Sequence, residues 1–159
     1  MKLTVGVADL KVSNRADDVL ITYSLGSCIG IVIYDPVAVV GGLLHYMLPE
    51  SSLSPEKAAK NPYMFGDTGI PILFRECYRF GAVKGRLVVK AVGGAQLLDP
   101  NGLFNIGKRN ILSMRKMLWQ NGVTMGATAL GGTVNRTISL EMNTGMVVLK
   151  TSGEGVVSL

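Results

Sequence analysis

A chain of 159 residues, 48% hydrophobic and 17% charged, can bury roughly 68–70% of its unfolded surface in one core, which excludes a disordered tail. One histidine and two cysteines cannot supply the four ligands of a structural zinc, and the longest apolar run, residues 36–44, is far too short to span a membrane. The net charge of +5 favours acidic partners, yet the aromatics do not interleave with the basic residues as nucleic-acid stacking requires.

Residues 2–10 read as a strand, followed by a polar loop over 13–18 and a second strand over 19–23. The small-residue turn 24–28 delivers Cys28 to the mouth of the strand Ile29–Asp35. Asp35-Pro36 signals a turn, and residues 40–48 return as the next strand. Residues 49–62, rich in Ser and Pro, read as a surface loop of the length that often forms a lid. Asp67-Thr68-Gly69 opens a helix that runs to about Phe80 and is stopped by Gly81. Its apolar face carries Ile70, Leu73, Phe74, Cys77 and Tyr78, which makes Cys77 a core residue.

Residues 86–92 form the next strand. Asn105 opens a second helix ending near Trp119, with Ile111, Met114, Met117 and Leu118 inward and Arg109 and Lys116 outward. Strands over 123–130, 137–142 and 146–150 follow, the last two joined by the hairpin connection Asn143-Thr144-Gly145. Lys84, Arg86 and Lys90 form one basic group, and Lys108, Arg109, Arg115 and Lys116 another; both read as solvated faces. Eight or so strands and two helices without β-α-β alternation predict one α+β domain over 1–159. No glycine-rich phosphate loop occurs. The start of the chain lacks an export signal, so a cytoplasmic protein with two free thiols is expected.

The candidate chemistry lies at Cys28 and His45, which the strand–turn–strand pattern brings toward each other. A turn centred between Pro36 and Val37 pairs His45 with Cys28; one centred on Val37 pairs it with Ile29. Directly opposed residues share a face, with Cβ atoms roughly 4.5–5.5 Å apart, whereas a slip by one residue sends them to opposite faces. Beside an imidazolium a cysteine is held as thiolate. The imidazolium then protonates departing ammonia, and the neutral ring activates water. That is the cycle of a cysteine hydrolase acting on amides. Thr22 is a candidate to orient the other ring nitrogen, and Gly26, by admitting positive φ, could shape an oxyanion hole from the Ser27 and Cys28 amides. The alternative is a lone buried histidine and an unrelated buried cysteine.

The segments Thr22-Tyr23-Ser24-Leu25-Gly26-Ser27-Cys28 and Gly41-Gly42-Leu43-Leu44-His45-Tyr46-Met47-Leu48-Pro49 resemble the CheD family of chemoreceptor glutamine deamidases. Gly93-Gly94-Ala95, Asn105-Ile106-Gly107-Lys108-Arg109-Asn110 and Gly131-Gly132-Thr133-Val134-Asn135-Arg136 extend the likeness over nearly the whole chain. The resemblance implies layered mixed β-sheets with helices on one side, as in bacterial deamidating toxins. It implies a catalytic set of Cys28, His45 and Thr22 that converts receptor glutamines to glutamates through a thioester, with no cofactor and no metal. Its implied partners are the cytoplasmic helices of methyl-accepting chemoreceptors and a CheC-type phosphatase, without nucleic acid or membrane insertion. A purely regulatory binding role toward such a phosphatase, or a receptor methylesterase side activity, are the alternatives. Ser24 and Asn135 stand where many members would carry Gly; an asparagine tolerates the left-handed conformation that such a glycine turn would need.

Overall fold

The computed structural model describes residues 1–97 and 104–159. Among these, ten strands form two five-stranded sheets, and three α-helices lie beside them. The architecture is α+β, as expected. One sheet joins β1 (Lys2–Thr4), β3 (Val19–Leu25), β8 (Arg136–Glu141), β9 (Met146–Thr151) and β10 (Gly155–Ser158) in that order. The other runs β2 (Asp9–Ser13), β5 (Val40–Tyr46), β4 (Ile29–Asp35), β6 (Val88–Gly93) and β7 (Thr128–Leu130). Each sheet is mixed: β1 pairs parallel with β3, and β6 with β7, while the remaining pairs are antiparallel.

β4 and β5 are buried along their whole length, because the second sheet is covered on both faces. Ile29, Ile31, Ile33, Leu44 and Tyr46 point to a core closed by α2 (Gly66–Arg79) and α3 (Ile106–Gln120). Val32, Tyr34 and Leu43 point to a second core shared with Leu20, Ile138 and Leu140 of the other sheet. Strand alternation thus sorts one hairpin's side chains between two cores. Gly41 and Gly42 make this tight packing possible. A side chain on Gly41 would meet Leu140 and Met142 at 2.7 Å, and one on Gly42 would meet Leu73 at 2.7 Å and Cys77 at 2.9 Å. Cys77 is fully buried among these groups.

Several expected boundaries move. Residues 2–10 are two strands in different sheets, separated where Ala8 takes φ 55°. The segment 49–62 contains a short helix, α1 (Pro55–Lys60). Asp67 does not cap α2; its carboxylate accepts from the Ser51 N–H and hydroxyl, tying the preceding loop to the helix. Tyr78 is half exposed rather than inward. The strand expected over 123–130 shortens to Thr128–Leu130, and β10 is an addition.

The first basic group is not a free solvated face. Arg86 pairs with buried Asp35 at 2.9 Å, Lys84 donates to the Asn121 carbonyl, and Lys90 donates to Leu159. Asp35 also accepts from the Val37, Ala38 and Val83 N–H groups. Burial opposes its charge, but Arg86 and these amides outweigh it and hold the carboxyl well below the usual carboxylate range.

Candidate active site

Asp35 also decides where the β4–β5 turn sits. Its carboxylate collects the first two N–H groups of the turn, and Val39 closes the connection at φ 53°. The turn therefore spans residues 36–39 and pairs Asp35 with Val40. This register sets His45 opposite Gly30, neither Cys28 nor Ile29. The slip from the Cys28 pairing is two residues, so facing is preserved. Cys28 and His45 stand diagonally on the side of the sheet that looks toward β3, where Cys28 packs against the intersheet core. Gly30, between them, has no side chain to intrude.

Thr22 projects from β3 of the opposite sheet into the same gap. Its hydroxyl oxygen lies 2.7 Å from His45 Nδ1 and 2.7 Å from the Val5 carbonyl oxygen. The carbonyl can only accept, so the single hydroxyl proton goes to Val5 and the Thr22 oxygen must accept from His45 Nδ1–H. In the neutral ring this places the lone pair on Nε2. His45 is 1% exposed, and among the described residues its buried Nε2 has no hydrogen-bond partner. The geometry hands a free base to the intersheet gap.

Burial lowers the His45 pKa to about 4, with the nearby Asp9 charge opposing that shift. Asp9, on β2, is the register partner of His45, yet its carboxylate is taken by Lys11 and by the Gly6 and Leu10 N–H groups. Burial also pushes the Cys28 thiol up. Burial thus disfavours the charged form of each group, the thiolate and the imidazolium alike.

The turn that carries Cys28 begins with a bulge. Thr22 pairs with Ile138 but Leu25 with Arg136, so β3 spends an extra residue there. Ser24 takes φ 58° in this bulge, which explains why a glycine would suit its position. Gly26 and Asn135 do not take positive φ. The expectation of a left-handed Gly26 or Asn135 is corrected accordingly, because Ser24 makes the reversal. Two backbone bonds fix the rest: Ala95 N–H donates to Gly26, and Gly94 N–H to Cys28, both at 2.9 Å.

A cleft of about 500 Å³ opens over this turn, lined among others by Ser24, Ser27, Cys28, Leu97, Phe104 and Asn135. Phe104 is 70% exposed at its rim. A smaller apolar hollow of about 280 Å³ between α2 and α3 touches none of the candidate residues. Sequence reasoning anticipated Cys28, His45, Thr22, Gly26 and Ser27, of which the fold places Gly26, Ser27 and Cys28 on the cleft and Thr22 against His45 in the intersheet gap. It missed Asn110 as a contributor. From α3, its buried amide donates to both Ser27 and Met47 carbonyls.

Fold and site together define an α+β protein in which Thr22 and His45 meet in the gap between two mixed sheets, and Cys28, packed on the same intersheet core, lines a cleft. The family described as CheD chemotactic sensory transduction matches residues 47–151. A probable chemoreceptor glutamine deamidase CheD of Syntrophus aciditrophicus is 52% identical over 149 residues, covering 94% of this chain and 93% of that protein. Those of Solibacter usitatus and Anaeromyxobacter dehalogenans are 49% and 45% identical, covering 96% and 99% of this chain and 90% and 98% of theirs. The chain belongs to the CheD family.

Proposed function

We propose that this chain is a protein-glutamine deamidase that converts selected chemoreceptor glutamines to glutamates, with Cys28 as nucleophile, His45 as base and Thr22 as the group that orients the base. The observation that carries the proposal is the buried, unpartnered His45 Nε2, whose lone pair is set by the Thr22–Val5 hydrogen bond on the face it shares with Cys28.

As substrate enters, Nε2 takes the thiol proton while sulfur bonds to the amide carbon. The tetrahedral centre collapses, the C–N bond breaks, and Nε2–H protonates the leaving nitrogen to give ammonia. The thioester is then attacked by water, whose proton passes to Nε2. The S–C bond breaks, glutamate is released, and the proton returns to sulfur. The cycle consumes one water and releases one ammonia. The backbone amides of Ser27 and Cys28 serve the oxyanion in both halves.

A neutral resting pair suits this cycle, because charge separates only when substrate displaces water from the cleft. The outward side of α3, whose first turn borders the cleft, exposes Lys108, Arg109, Arg115 and Lys116. That face supports an acidic receptor helix as partner, since complementary charge raises the encounter rate.

The test is mass spectrometry of receptor cytoplasmic fragments incubated with wild type and with Cys28→Ala. Gln-to-Glu mass gains at discrete sites are expected with wild type alone. Gains that persist with folded Cys28→Ala would overturn the assignment of Cys28.

A further inference from the structure

Asn110 is fully buried in α3, and its side-chain hydrogen bonds lead to the candidate site. Its side-chain nitrogen donates to the Ser27 carbonyl at 2.8 Å and to the Met47 carbonyl at 2.9 Å. The Asn110 main-chain carbonyl accepts from the Tyr46 hydroxyl at 2.9 Å. Ser27 immediately precedes Cys28; Tyr46 and Met47 immediately follow His45. One residue thus holds the chain beside the nucleophile and the chain beside the base.

The amide orientation is set by chemistry: both partners are carbonyls, so only the NH₂ group can face them. Both of its hydrogens are used, and among the described residues the buried Asn110 Oδ1, turned away from these carbonyls, has no partner. An unsatisfied buried acceptor is a standing cost that the fold tolerates. Asparagine is suited to the two-carbonyl bridge: Asp and Leu offer no donor, and Ser offers one. α3 is seated to make it, because Gly107 lies against the Gly94 and Ala95 carbonyls where a side chain would not fit. Gly94 and Ala95 are the residues that bind Cys28 and Gly26.

We infer that Asn110 is a positioning residue that fixes the Cys28 turn relative to His45. It rests on the cysteine–histidine reading above and acts through both residues without touching substrate. A displacement of about 1 Å between reacting groups costs on the order of 10²-fold in rate. Losing the bridge should therefore lower kcat by about 100-fold and leave KM nearly unchanged.

The test measures iodoacetamide alkylation of Cys28 at neutral pH in wild type, His45→Ala, Asn110→Ala and the double variant. Folding is checked by circular dichroism, and deamidation kinetics are run in parallel. Asn110→Ala should lose the His45-dependent part of the alkylation rate, and the double variant should react no more slowly than His45→Ala. Alkylation and kcat at wild-type levels in folded Asn110→Ala would overturn the inference, as would additive losses in the double variant. Equal alkylation of wild type and His45→Ala would instead remove the cysteine–histidine reading beneath it. Should Asn110→Ala not fold, Asn110→Ser, which keeps one donor, is put through the same comparison. Failure of both to fold would assign Asn110 to stability and overturn the positioning role.

Discussion

The carbonyl oxygen of Cys28 occupies the place where a side chain on Gly93 would begin. Gly93 also sits at φ 122°, a conformation in which side-chain-bearing residues are strained. Gly93→Ala should therefore destabilise the fold by about 1–3 kcal/mol and displace the Cys28 carbonyl. Urea unfolding should show the loss, and turnover by the remaining folded protein should fall with it. Unchanged stability and rate would mean that the turn yields freely at this point.

Thr22→Val keeps the shape of the side chain and removes its oxygen. It leaves the Val5 carbonyl and His45 Nδ1–H without partners, at a cost of about 1–3 kcal/mol. Turnover should drop, because the ring is free to move its proton to Nε2. Thr22→Ser, which keeps the hydroxyl, should retain most of the rate. Nitrogen NMR of the imidazole reads the tautomer directly. A wild-type rate in Thr22→Val would exclude the orienting role.

His45 also gives stability a pH dependence of known sign. Its folded pKa, about 4, lies below the ordinary 6.5, so between these values the unfolded chain binds more protons. The contribution is fully present above pH 6.5 and is lost as pH falls toward 4. At pH 5 the difference is on the order of 1–2 kcal/mol. His45→Asn should flatten the stability profile across this window, as followed by denaturant titration. Parallel curves for the two proteins would show that the ring protonates without opposing the fold.

The two thiols should separate under alkylation. Cys77 is sealed between α2 and β5, and burial pushes its pKa up to about 12. Cys28 lines an open cleft. Iodoacetamide should label Cys28 in the native protein and Cys77 only after unfolding, as peptide mass mapping will show. Comparable native labelling of both would mean that the helical layer opens on the reaction timescale.

The hairpin that carries the site was legible in the chain because Ile, Val and Leu repeat on both sides of Asp35-Pro36. Its register was not. That depended on how many N–H groups the Asp35 carboxylate could gather and on Val39 accepting φ 53°, an uncommon state for a β-branched residue. Cys77 followed from helical spacing. The division of residues 2–10 between two sheets had no local signal, since Ala8 at φ 55° is imposed by the partners on either side. Thr22 could be nominated from its place beside the turn. Asn110 could not be given a role, because its partners are main-chain atoms 63 and 83 residues away. Side-chain patterning reveals which face is buried; it does not reveal which distant carbonyls will need a donor.

Thr22 and His45 belong to different sheets. The hydroxyl that selects the useful tautomer reaches the ring only after the sandwich has closed. A nascent or partly opened chain carries the cysteine and the histidine, but no defined base. On the proposed mechanism competence waits for completed folding, and an incompletely folded copy is expected to be silent toward a glutamine-bearing helix. For a protein whose proposed product is a lasting change of charge on a signalling receptor, that silence is a safeguard written into the architecture.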